Sequence, residues 1–173
     1  AQTDEQNLLP YIAADGTKVM SLNLLLENET DPVFWRGPVI SGVVKQFWEE
    51  VSWGDVDFMF VDMPPGTGDV PLTVFQSLPL DGIIASSEPA ALGTLYALKR
   101  AGLRVPQDVK IVSFDSTLYS LLTDPPLTSI ERNPQSIAQK SCELILQLMR
   151  GEPPAETEIY IPTNLVERAS TDG

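Results

Sequence analysis

Apolar and polar stretches follow one another along the chain in a pattern that predicts strands and helices in turn. Short apolar runs at 19–26, 56–62, 82–87 and 109–115, and an extended segment at 158–166, have the length and composition of strands. The longer segments between them repeat apolar residues every three or four positions, which is typical of helices. Strands that alternate with helices predict an α/β fold.

The helix predicted over residues 134–150 has the clearest boundaries. Asn133 can cap its first turn, Pro134 suits its first position, and Gly151 can end it. Its apolar stripe either packs into the core, with Cys142 as a small buried hydrophobe, or stays exposed and favours dimerisation or segment swapping. We expect some self-association, as a homodimer through this helix or by swapping of a segment. The stripe comprises Ile137, Ala138, Ser141, Cys142, Ile145, Leu148 and Met149.

Together these elements predict a three-layer sandwich around a mostly parallel sheet of about five strands, flavodoxin-like or Rossmann-like. Functional residues in such sheets lie at the carboxyl ends of the strands.

The composition of the chain limits the partners and the cellular compartment that we expect for it. The chain has 173 residues and a net charge of −13, which disfavours nucleic acid as a partner. No apolar run reaches the roughly 18 residues of a membrane span, so no membrane partner is expected. Histidine is absent, and Cys142 is the only cysteine, which suits a reducing cytoplasm.

The stretch "VDFMFVDMPPGTGDV" at 56–70 carries the most specific chemistry. Asp62 ends an apolar run, and a carboxylate in that place can hold Mg²⁺ beside a triphosphate. Gly66, Thr67 and Gly68 follow in a glycine-rich turn that lets the backbone approach a phosphate. The lysine-containing phosphate loop G-x-x-x-x-G-K-[ST] does not occur in the sequence.

Residues 8–85, with "WRGP", "KQF", "WGDVDF" and "DMPPGTGD", closely resemble the Mrp branch of the MinD-like P-loop ATPases, which are iron–sulfur cluster carriers. The resemblance implies that Asp62 serves magnesium binding and water positioning. The phosphate loop and the Cys-x-x-Cys cluster ligands of that family are missing from this sequence.

Residues 86–173, with "ALKRAGLRVPQDV", "PPLTSI", "LMRGEPP" and "LVERAS", resemble the carboxyl-terminal part of a LacI/GalR-type effector domain, which is like a periplasmic binding protein. The resemblance implies an effector-binding role for Asp115. Ser87 and Glu88 stand where the family often has Asn-Asp. The amino-terminal lobe and the DNA-binding headpiece have no counterpart here.

These two resemblances lead to the expectation of a single chimeric α/β domain over residues 1–173, joined at 85/86. We expect an engineered fold chimera without evolved activity: not an enzyme, with no catalytic residue, cofactor or metal site, and cytoplasmic on recombinant expression. The alternatives are residual nucleotide–magnesium binding at Asp62 or residual sugar-effector binding at Asp115, with Ser87.

Overall fold

The computed structural model describes residues 2–4, 7–25, 37–63, 69–153, 156 and 158–172. The chain consists of two compact units, Ala1–Pro79 and Leu80–Gly173, each with buried apolar residues of its own. The single domain predicted over residues 1–173 stays a prediction. No helix in the described ranges is long and apolar enough to cross a bilayer.

The first unit opens with two small antiparallel pairs. Strands β1 (Gln2–Asp4) and β2 (Asn7–Leu9) form one pair, and β3 (Tyr11–Ile12) and β4 (Lys18–Val19) form the other. The second hairpin turns at Gly16, whose φ of +88° favours glycine.

The strand predicted over 19–26 is wrong over residues 20–25, and Leu26 lies outside the described residues. A 3₁₀ helix covers Leu22–Leu25 instead, and it begins as the Leu24 amide donates to the Ser21 carbonyl at 3.0 Å. A local hydrogen bond therefore takes the place of the strand pairing on which a longer β4 would depend.

Two helices complete the first unit: α1 (Gly37–Glu49) and α2 (Asp69–Ser77). They pack against each other, and Val43 on α1 and Val74 on α2 are both buried. These helices match the prediction, because their apolar residues recur at the helical period.

The strand predicted over 56–62 is wrong. Val51, five residues before the predicted strand, forms an isolated parallel bridge with Leu8. In the described part of the chain, none of residues 52–63 belongs to a strand or bridge. Phe58 and Phe60 are each 82% exposed. The apolar pattern is that of a sheet interior, yet strand formation also needs backbone partners on a neighbouring strand.

The second unit is built on a four-stranded sheet in the order β5-β6-β7-β8. Strands β5, β6 and β7 run parallel, and β8 is antiparallel to β7. The mostly parallel α/β class is thereby confirmed. The strands are β5 (Gly82–Ala85), β6 (Lys110–Phe114), β7 (Thr128–Arg132) and β8 (Thr163–Val166).

Strand β7 is not among the strands predicted from the sequence. Its residues Thr128 and Ser129 are buried. The strand predicted over 158–166 is paired only from Thr163 onward.

Helix α3 (Glu88–Arg100) packs on β5 and β6. The Ser87 hydroxyl caps it by accepting from the Ala90 amide at 3.4 Å, and Gly102, with φ of +76°, follows its last turn. The core of this unit joins the helix to the sheet and comprises Ala85, Ala91, Leu95, Ile111 and Leu127.

The last two helices are α4 (Leu118–Leu122) and α5 (Pro134–Met149). As predicted, the Asn133 side chain caps α5 by accepting from the Ser136 amide at 3.0 Å. No residue of α5 is buried, however. The expectation of a buried Cys142 is therefore wrong, because the thiol lies on an exposed side of the helix.

Ser170 joins the final segment to two strands of the sheet. Its hydroxyl accepts from the Thr128 amide at 2.8 Å and donates to the Ile111 carbonyl at 2.6 Å. Its backbone carbonyl accepts from the Ile111 amide at 3.1 Å. Ser170 is fully buried and hydrogen-bonds to β6 and to β7.

Candidate functional site

Asp62 lies near the end of the unpaired apolar segment of the first unit. Its side chain is exposed to solvent. Upstream, the Lys18 ammonium donates to the carbonyls of Trp53 and Asp55, and this fixes the start of the segment. Asp62 is therefore a carboxylate available to a ligand, held on a backbone that is anchored some residues earlier.

The glycine-rich sequence after Asp62 can be placed only by the described residues on either side of it. Gly66, Thr67 and Gly68 lie outside the described residues, and α2 begins at Asp69 directly after them. Their predicted place near a phosphate stays a prediction. Among the described residues, no group of three or more carboxylate or thiol side chains is arranged to hold a metal ion.

In the second unit, the most enclosed carboxylate is that of Glu88, which is 5% exposed. It accepts hydrogen bonds from the Thr117 and Ser120 amides, each at 3.0 Å, and from the hydroxyls of the same two residues. Glu88 opens α3, and its partners lie at the start of α4. The carboxylate therefore fastens the first turns of two helices to each other.

The protonation of Glu88 follows from this arrangement. Burial by itself raises the pKa of the carboxyl, but hydrogen bonds from Ser120 and Thr117 together outweigh it and lower the pKa below its ordinary value of 4.5. Glu88 is thus ionised at neutral pH, and all four donors meet a charged acceptor.

Asp115 stands at the carboxyl end of β6, as predicted, but its carboxylate has a partner. It forms an ion pair with Arg132 at the end of the adjacent strand β7. Its φ of +136° is a conformation that side-chain-bearing residues rarely adopt. Ser87 is engaged as the cap of α3, so both predicted effector-binding residues already have roles inside the fold. Effector binding at Asp115 and Ser87 stays a prediction.

The sequence did not point to Arg168, which organises the same end of the sheet. Its side chain is 12% exposed, and one terminal nitrogen of its guanidinium donates to the Leu127 carbonyl at 2.6 Å and to the Ser129 hydroxyl at 3.2 Å. The other terminal nitrogen reaches the Ser116 hydroxyl at 3.1 Å and Glu131 at 3.3 Å. One side chain thereby connects the loop after β6 with β7.

No local signal in the sequence could have identified this arginine. Its partners lie 37 to 52 residues away along the chain, and only the folded sheet brings them together. Thr117 and Ser120 were missed for the same reason, since their partner Glu88 lies 29 and 32 residues earlier.

In the first unit, the exposed carboxylate of Asp62 is followed along the sequence by a glycine-rich stretch and then by α2. Over residues 1–118 the chain matches the ParA family, described as NUBPL iron-transfer P-loop NTPases. The chain belongs to this family. The match extends well past residue 85, where the Mrp-like part was predicted to end.

Named relatives agree with this assignment. The chain is 44% identical over 93 residues to an iron–sulfur cluster carrier protein of Methanocaldococcus jannaschii, covering 53% of this chain and 32% of the relative. It is 37% identical over 114 residues to a probable cytosolic Fe-S cluster assembly factor of Schizosaccharomyces pombe, covering 58% of this chain and 19% of the relative. The chain spans about a third of the length of the first of these relatives.

Among solved structures, the chain is similar to a LacI-type transcription regulator from Bifidobacterium animalis. The sequence identity is 32% and the TM-score is 0.53, with 57% of this chain and 35% of that chain covered. This likeness is consistent with the predicted resemblance to LacI-type effector domains. It does not support an engineered or chimeric origin.

The predicted absence of any evolved activity is contradicted by these findings. The family is one of P-loop NTPases, and relatives over half of the chain are iron–sulfur cluster carriers. The expectation that the protein is not an enzyme conflicts with the same match. The absence of the phosphate loop from the sequence does not exclude the chain from the family, which matches over residues 1–118.

Proposed function

We propose that the chain works in the delivery of iron–sulfur clusters, as part of a nucleotide-hydrolysing carrier. The observation that carries the proposal is the 44% identity over 93 residues to a protein named as such a carrier. Because the chain spans about a third of that relative, the activity would belong to a protein to which this chain contributes one part.

The part proposed for this chain is magnesium binding by Asp62. An exposed carboxylate is the oxygen ligand that Mg²⁺ prefers, and one or two such ligands suffice when substrate phosphates supply the others. Asp62 therefore fits the ion. Bound Mg²⁺ would neutralise charge that develops on the transferred phosphoryl group.

The residues present do not form a complete phosphate site. The sequence contains no G-x-x-x-x-G-K-[ST] motif, so the lysine that such a loop places on the phosphates is missing. Gly66, Thr67 and Gly68 are the residues proposed to lie beside the phosphates after Asp62, and the two glycines carry no Cβ that would block the approach. In this proposal, the remaining contacts to the phosphates come from residues other than Asp62, Gly66, Thr67 and Gly68.

The cluster itself is the cargo of the proposed carrier. Iron–sulfur clusters are commonly held by four thiolates, and this sequence has one cysteine, Cys142. One copy of the chain therefore cannot supply a complete set of cysteine ligands. The proposed contribution of the chain lies in nucleotide handling.

The test is Mg²⁺-dependent ATP binding, followed by calorimetry, together with phosphate release. Asp62→Asn should weaken magnesium-dependent binding or turnover roughly 10–100-fold, the usual range for disturbed metal sites. The matched control is Asp57→Asn, which removes one charge from another exposed position of the same segment. Equal losses in both variants, or no loss in Asp62→Asn, would contradict the role of Asp62.

A further inference from the structure

Helix α5 and the segment before β8 border a groove of about 440 Å³ within the second unit. This volume lies in the range of small-molecule sites, roughly 300–1,000 Å³. The described residues that line the groove include neither Asp115 nor Ser87, the predicted effector-binding residues. The groove is therefore a different place from the predicted effector site.

One end of the groove is polar. Arg132 ends β7 and is paired in register with Thr163 of β8, and Asn133 follows Arg132 as the cap of α5. All three residues line the groove. A ligand at this end therefore meets a guanidinium, an amide and a hydroxyl close together.

Beyond this end the groove is lined mostly by large apolar side chains. On α5, Ile137 comes first and Leu144 follows seven residues later, which is about 10 Å at 1.5 Å per residue. On the segment before β8, Ile161 and Ile159 come two and four residues before Thr163. The groove thus joins a polar end to an apolar part about 10 Å long.

The groove differs in charge from the chain as a whole. The chain carries a net charge of −13, but the charged residues in the described lining, Arg132 and Lys140, are both basic. Arg132 pairs with Asp115 through one terminal nitrogen, and a guanidinium has five N–H donors, so donors remain for an anion. Lys140 already pairs with Glu143 at 2.8 Å. Arg132 is therefore the principal cation of the groove.

This lining discriminates between classes of ligand. Sugar hydroxyls placed against the apolar side chains would lose their hydrogen bonds to water without replacing them. A cationic ligand would find no carboxylate in the described lining. A carboxylate attached to a hydrocarbon chain suits both parts, because its oxygens match the fork of a guanidinium and its chain covers apolar surface.

We propose that the groove binds a medium-chain carboxylate, with its head group on Arg132 and its chain between α5 and the segment before β8. A chain of about eight to ten carbons matches the length of the apolar part. The side-chain oxygen of Asn133 accepts from the Ser136 amide, so Asn133 offers its side-chain N–H groups to the head group. The inference does not depend on the proposed role of Asp62.

Equilibrium dialysis of the full chain against labelled decanoate, below its micelle-forming concentration, tests the site. One molecule should bind saturably to each chain. Octanoate, which is two methylenes shorter, should bind roughly tenfold more weakly, because it buries less apolar surface. Uptake of several molecules without saturation, or no binding, would overturn the proposal.

Arg132→Gln tests the head group. It should weaken decanoate binding at least about tenfold, because a charge-assisted hydrogen bond is lost, and should leave binding of uncharged decanol unchanged. The matched control is Arg150→Gln, which removes a positive charge outside the described lining and should behave as the parent. Equal decanoate affinities in the two variants, or an equal loss of decanol binding in Arg132→Gln, would overturn the proposal.

Leu144→Glu tests the position of the hydrocarbon chain. A charge there should weaken decanoate binding at least about tenfold. The matched control is Leu146→Glu, since Leu146 is 51% exposed and lies about 200° further around α5. Circular dichroism checks that both variants fold. If both bind decanoate as the parent does, or lose affinity equally, the ligand does not lie along this face of α5 and the proposal fails.

Discussion

Two apolar runs in this chain have similar compositions and opposite fates. Strand β6, with the sequence KIVSF, pairs with β5 on one side and β7 on the other, and Ile111 within it is fully buried. The run VDFMFV at 56–61 has no strand partner among the described residues and exposes Phe58 and Phe60. An apolar run becomes a buried strand only where other segments offer hydrogen bonds and a covering layer.

The two runs also differ in how much their apolar side chains contribute to the free energy of unfolding. Full burial of a large apolar side chain contributes about 1.5–3 kcal/mol, whereas an exposed one contributes little. The second unit therefore draws its stability from Ile111 and its neighbours, while the segment at 56–61 adds almost none.

The largest expected effect tests this contrast directly. Ile111→Ala should lower the free energy of unfolding by about 2–5 kcal/mol, because it opens a cavity between α3 and the sheet. Phe58→Ala, which removes an even larger side chain, should change it by less than about 0.5 kcal/mol. Urea denaturation of both variants measures the difference. Similar losses would mean that the segment at 56–61 is buried in solution.

A smaller effect is expected at Glu88, whose bonds join α3 to α4. Glu88→Gln replaces a charged acceptor and leaves donors unsatisfied, at a cost of roughly 1–3 kcal/mol. Because folding lowers the pKa of Glu88, its stabilisation is present above 4.5, the ordinary value, and is lost as the pH falls through the lowered value.

Denaturant unfolding of the parent and of Glu88→Gln at several pH values measures the pH dependence of this stabilisation by Glu88. The two stabilities should converge as the pH falls through the lowered pKa of Glu88, which lies below 4.5. A difference that persists at lower pH would mean that the carboxylate charge is not what stabilises the junction.

The smallest expected effect concerns Asp115. Arg132→Gln removes its ion pair, which is partly exposed, and should cost less than about 1 kcal/mol. Asp115→Gly removes the same pair but also relieves the unfavourable φ of +136°, a conformation worth about 1–3 kcal/mol of strain. Asp115→Gly should therefore be no less stable than Arg132→Gln in thermal unfolding. A larger loss in the glycine variant would show that the aspartate makes further stabilising contacts.

Helices α1, α2, α3 and α5 could be predicted from the sequence because their signals are local, whereas the short α4 was not predicted. In α5, the cap at Asn133, the proline after it and the final glycine lie within the helix or next to it, and the structure places its ends accordingly. Strands depend on partners that are distant in sequence. For that reason β7, which follows two prolines, was not predicted. The apolar run at 56–62 was predicted to be a strand although it has no strand partner among the described residues.

The same distinction applies to the candidate sites. Asp62 and Asp115 could be found because each follows an apolar run. The internal partner of Asp115 could not be foreseen, since Arg132 meets it only through the pairing of β6 with β7. Conversely, the missing phosphate loop suggested an inert protein, although the match over residues 1–118 carries the family assignment without that loop.

The position of Ser170 between β6 and β7 has a consequence for synthesis of the chain. Its hydroxyl bonds to Thr128, made 42 residues earlier, and to Ile111, made 59 residues earlier. At about 5–20 residues per second, a ribosome completes β7 roughly 2–8 s before Ser170 exists. During that interval neither β8 nor Ser170 has been made, so the outer side of β7 is unpaired and the bonds from Ser170 to β6 and β7 are missing. Because partly folded chains aggregate in competition with folding, we expect the rate of translation through residues 128–170 to influence the yield of folded protein.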